Sequence, residues 1–137
     1  MSARLLLLSF GLLLLSACAG SSGSVTESAG TTPAIDLSGV WTGRWMSITG
    51  VSGATKSNLT QTGSTVTGDF VFTNSPCFAG AKFDGTLVGS ELTGTATAGG
   101  IVVTMSGTVT ENAINGTYSV GQAGACSNDT GTFTSSR

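Results

Sequence analysis

Histidine is missing from the chain altogether. That removes Ser-His and Cys-His nucleophile pairs and every histidine metal site. Charge is scarce as well, with 9% of 137 residues charged against about 25% in an ordinary protein. Five basic residues against seven acids leave a formal net charge of −2 and no basic patch. Nucleic acid and anionic membrane surfaces are therefore not expected partners. The acids are scattered. A glycosidase needs two carboxylates facing each other across a cleft, but alternation turns Asp69 and Asp84 outward and sets Glu91 and Glu111 in or beside turns. Asn128-Asp129 lacks the dense Asp/Asn loop that calcium takes. No catalytic residues, cofactor or metal are expected, and the chain reads as a non-enzyme. Nothing after residue 20 has helical periodicity.

What is present begins with an N-terminal signal. Arg4 supplies a positive n-region, and residues 5–15 are apolar apart from Ser9. Eleven residues suit a signal-peptide core of about 7–15 and fall short of the roughly 20 needed to span a bilayer. Leu15-Ser16-Ala17-Cys18 then resembles the lipobox of bacterial lipoproteins. That resemblance implies cleavage after residue 17 and a lipidated Cys18. The chain would be tied to the membrane through that lipid; two or more acyl chains hold stably where one holds marginally. Ala19 after the cysteine is similar to the outer-membrane class, so the expected location is the cell envelope, at the outer membrane. Residues 18–35 are rich in Gly, Ser and Thr with a single charge before residue 35 and read as a flexible tether. The domain is then 36–137, enough for one core.

Alternation marks eight strands in it, near 39–48, 54–61, 64–72, 80–88, 91–98, 101–110, 113–120 and 129–135. Threonine fills the outer faces. A small polar residue, Gly, any residue and an apolar one recur seven times, beginning at Thr42, Thr67, Asp84, Thr93, Ser106, Asn115 and Thr130. Phosphate-cradling glycine loops precede helices, whereas these glycines lie inside strands on the core face. There they let a sheet curl tightly around a few large side chains. Short turns at 62–63, 89–90, 99–100 and 111–112 suit hairpins. The expected fold is all-β, an eight-stranded up-and-down antiparallel meander barrel, with a sandwich or half-open sheet as the alternative.

Ser38-Gly39-Val40-Trp41-Thr42-Gly43 resembles the opening of the calycin barrels (lipocalins, fatty-acid-binding proteins, avidins), whose first strand carries Gly-x-Trp. Residues 63–70 look most like the avidin branch. The resemblance implies an arginine over the Gly-x-Trp ring, here Arg137 over Trp41, and a ligand mouth under the loop after strand three. Biotin binding is not carried over, because both tryptophans, Trp41 and Trp45, lie in the first strand.

With Cys18 taken by lipid, Cys77 and Cys126 remain as an even pair for an oxidising compartment. They follow strands three and seven, which run the same way. Their bridge would therefore tie two long loops at the end opposite the tether. Such a lid favours recognition by loops 74–78 and 121–129, including Asn74 and Phe78, over deep burial of a ligand. Inside the barrel, Thr55, Ser57 and Gln61 share the inner face of strand two with Leu59 and form the candidate polar corner. Tyr118 on strand seven is the further candidate. The expected function is a non-catalytic binding module for an unknown envelope ligand or protein. A protein-interaction module, similar to the small lipoprotein barrels that inhibit lysozyme, is the alternative.

Overall fold

Every second residue of each strand points inward, and closing such a sheet on itself leaves no unpaired edge. In a computed structural model describing residues 35–122 and 124–137, the domain takes that solution. Strands β1 (Gly39–Ser47), β2 (Ser52–Thr62), β3 (Thr65–Phe72), β4 (Gly80–Val88), β5 (Glu91–Ala98), β6 (Ile101–Val109), β7 (Ala113–Val120) and β8 (Thr130–Ser136) follow one another as an antiparallel meander. β8 pairs back onto β1, from Thr42↔Ser136 to Ser47↔Gly131, and the barrel closes. One 3-10 turn, Gly124–Cys126, interrupts the link between β7 and β8. The expected signal peptide at 1–17, Cys18 and all but the last residue of the expected 18–35 tether lie outside the described residues.

The recurring glycines have a steric reason. Several sit under a ring: Gly116 faces Phe133 and Gly131 faces Tyr118 directly across the ladder, and the Phe83 ring lies against Gly85 and Gly94. A Cβ on Gly131 would lie 2.6 Å from the Tyr118 hydroxyl oxygen, and one on Gly116 2.6 Å from the Phe133 ring. The missing side chain is the seat on which the neighbouring ring lies, so a narrow barrel can hold aromatic residues in its wall. At the β5–β6 turn the need is conformational. Gly99 and Gly100 both take positive φ, 54° and 87°, as a two-residue type I′ hairpin requires.

The two ends of the barrel differ. Every second connection, at 63–64, 89–90 and 110–112, falls at the end where β1 begins. That end is solidly filled, and its Leu37, Trp41, Val66, Leu87 and Val109 are the largest fully buried side chains. Residues 35–38 cross beneath it as a plug. Leu37 N–H donates to Gln61 Oε1 (2.8 Å), Gln61 Nε2 donates to the carbonyls of Ile35 (3.1 Å) and Gly63 (3.0 Å), and Trp41 Nε1 donates to Leu37 O (2.9 Å). Arg137 locks the plug from outside. Its guanidinium lies 4.6 Å from the centroid of the Trp41 ring and donates to the carbonyls of Asp36, Ser38 and Glu111. At an exposed site the cation–π part is worth about 0.5–1 kcal/mol.

Candidate functional site

The opposite end carries the longer connections, 48–51, 73–79 and 121–129. Cys77 and Cys126 are bridged there with their Cα atoms 5.8 Å apart, so the loops after β3 and β7 are tied together. The bridge does not close the barrel. Beneath it lies a cavity of about 280 Å³, with both cysteines in its wall. That is near the lower limit of the roughly 300–1,000 Å³ typical of small-molecule sites. The tied loops roof a space rather than fill it, so this end offers a cavity as well as the outer loop surface expected from the sequence.

The wall is asymmetric. Phe70 and Phe72 of β3 point inward two residues apart, and Phe78 from the following loop meets Phe72 edge to face, with centroids 5.4 Å apart. Val103 and Met105 of β6 continue this apolar side. Polar residues come from β1, β2, β7 and the residue just before β8, and from the loops as Thr49, Ser75, Ser127 and Asn128. Ser47 Oγ donates to Asp129 Oδ1 (2.5 Å) and lies 2.8 Å from Thr49 Oγ1, while Tyr118 Oη donates to Asp129 Oδ2 (3.0 Å). Burial of the Tyr118 phenol, its hydrogen bond to Asp129 and the charge of that carboxylate together raise its pKa well above the ordinary value near 10. Tyr118 is therefore a neutral donor at any physiological pH. Trp45 is spent at its nitrogen, which donates to Thr73 O (3.2 Å), and its ring forms part of the wall. Thr55 is 5% exposed and lines the cavity, and its hydroxyl has no partner among the described residues.

Of the residues the sequence singled out, Thr55, Phe78 and Tyr118 line this cavity. Ser57 is buried deeper, beside a separate void of about 10 Å³ between Phe70, Phe83 and Phe133, the size of a single water. Gln61 does not belong to a polar corner with them. It shares their face of β2 but stands six residues, about 20 Å, beyond Thr55 and four, about 13 Å, beyond Ser57, where its amide binds the plug. Asn74 is exposed on the loop and takes positive φ, and its side-chain amide donates to Ser52 O (2.7 Å); it ties the loop and is not in the cavity wall. Asp129 and Ser47 are the functional groups that sequence reading missed. The sequence points to Asp129 only as the end of the 121–129 loop and as a poor calcium ligand, and among the described residues no group of three His, Cys, Asp or Glu could hold a metal ion. Its position immediately after the Cys126 loop, at the same end as Cys77, was the available signal.

No family model matches the chain, and no curated protein matches it.

Proposed function

We propose that the domain is a non-catalytic binding module that takes a small ligand into the cavity beneath the bridged loops, carried on a lipid anchor at Cys18 in the cell envelope at the outer membrane. The observation that carries the binding reading is the contrast between the two ends of one barrel. The plugged end buries Leu37, Trp41, Val66, Leu87 and Val109 fully, while the bridged end holds about 280 Å³ of aromatic-walled space. The roof fits the same reading, because a disulfide that fixes the loops holds the cavity in one shape and lowers the ordering cost of binding. The lipobox and the preceding apolar run support the anchor. On this reading the plug faces the membrane and the mouth faces away from it.

The test is retention of small molecules from an envelope extract by the purified chain, read by mass spectrometry, beside a Met105→Trp variant that fills the cavity. The wild type is expected to retain a compound that the variant does not. Equal retention by both chains would place any binding elsewhere and overturn the assignment.

A further inference from the structure

Resting on that reading, we infer that the cavity takes a small organic cation, an apolar and aromatic-sized body bearing a protonated nitrogen that docks on Asp129. Among the described residues, Asp129 is the one formally charged member of the wall, and no described Lys or Arg lines it. The described cations are placed elsewhere: Arg44 and Lys56 on the outer face, Lys82 paired with Asp69 on the surface, and Arg137 at the plugged end. The carboxylate is thus held by two neutral hydroxyls, one on each oxygen. These orient it without cancelling its charge. An ionised carboxylate can accept about four hydrogen bonds, so each oxygen keeps acceptor capacity for a ligand.

The rest of the wall agrees with a cation and opposes an anion. Aromatic faces carry negative quadrupole, which attracts an ammonium group placed over them. Trp45 Nε1 is already bonded to Thr73 O, so the indole offers the ligand its ring and not its donor. A carboxylate or phosphate ligand would meet Asp129 with no counter-charge among the lining residues, and like charges in a partly desolvated site are costly. Thr55 supplies the second polar point. Its buried hydroxyl lacks a partner among the described residues and can donate to an oxygen on the ligand body, a contact that leaving it unpaired would forfeit.

Three probes that share one apolar body separate the possibilities: phenethylamine, 2-phenylethanol and 3-phenylpropanoate. Their affinities for the purified full chain are measured by calorimetry at neutral pH. Phenethylamine is expected to bind about tenfold or more tighter than either of the others, roughly 1.4 kcal/mol. In an Asp129→Asn chain that preference is expected to vanish, while 2-phenylethanol keeps its affinity within about twofold. Equal binding of all three by the wild type, or a preference for the anion, overturns the cation assignment and leaves the cavity as a binding site. No binding of any probe overturns both. The comparison within the wild type needs no variant, so a poorly folded Asn chain would not shield the proposal.

Discussion

Tyr118 is the chain's one tyrosine, so its phenol can be followed alone by ultraviolet absorbance. Its raised pKa has burial as the first cause and the Asp129 hydrogen bond and charge after it. Below about pH 10, the unperturbed value, the phenol is protonated in folded and unfolded chains alike, and its contribution to stability is complete. Above that pH the unfolded chain ionises first, so stability falls as pH rises toward the higher folded pKa. The phenolate signal is therefore expected to appear together with alkaline loss of structure, not ahead of it. Asp129→Asn removes the charge and one of the two acceptor oxygens but not the burial, so it should move the ionisation down in pH without restoring the ordinary value. A wild-type Tyr118 that titrates near pH 10 in the folded protein would contradict this geometry. At this scale the sequence was only half legible. Alternation says which side chains face inward, and Thr55, Phe78 and Tyr118 were reachable by that route. It does not say how far along the barrel axis a residue stands, which is why Gln61 was grouped with Thr55 and Ser57, about 20 Å and 13 Å away along the strand. It also falls silent in loops, so Asp129 acquires a role only when closure sets it beside Ser47.

The elements themselves were legible nearly to their ends, because period-two alternation, threonine on the outer face and glycine in the turns all agree. The main difference is β2, which starts at Ser52 rather than at 54. There the Gly53 backbone runs opposite Trp45, and Ala54 N–H donates to Thr73 Oγ1, so the strand continues past the point where apolar alternation stops. The bridge between the β3–β4 and β7–β8 loops was legible too, since strand parity put both cysteines at one end. It spans 49 positions, and the chain-entropy model assigns a loop of that length about 4 kcal/mol. A Cys77→Ser, Cys126→Ser double variant is expected to lose a few kcal/mol of that, read as a lower denaturant midpoint with a steeper slope, because the unfolded chain without the crosslink exposes more surface. An unchanged midpoint would mean that the reduced loops keep the same restraint without the bond.

For the whole molecule, the anchor is the claim that reaches beyond the barrel. Cys18→Ala is expected to leave the chain unlipidated and to move it from the membrane to the soluble fraction; an unmodified Cys18 in the intact mass of the native protein would rule the anchor out. The closed sheet has a further consequence, in the order of events. Seven of the eight strand pairings join neighbours in sequence, and each hairpin can form as soon as its own turn does. The eighth joins Thr42 to Ser136, near the two extremes of the domain, and Arg137 then fastens the plug on top of it. Folding rates fall as contacts become less local, so this seam is expected to form last. A chain released N-terminus first can zip most of its wall while emerging, but it cannot become a barrel until β8 is free. Until then β1 waits with an open edge, available to the wrong strand.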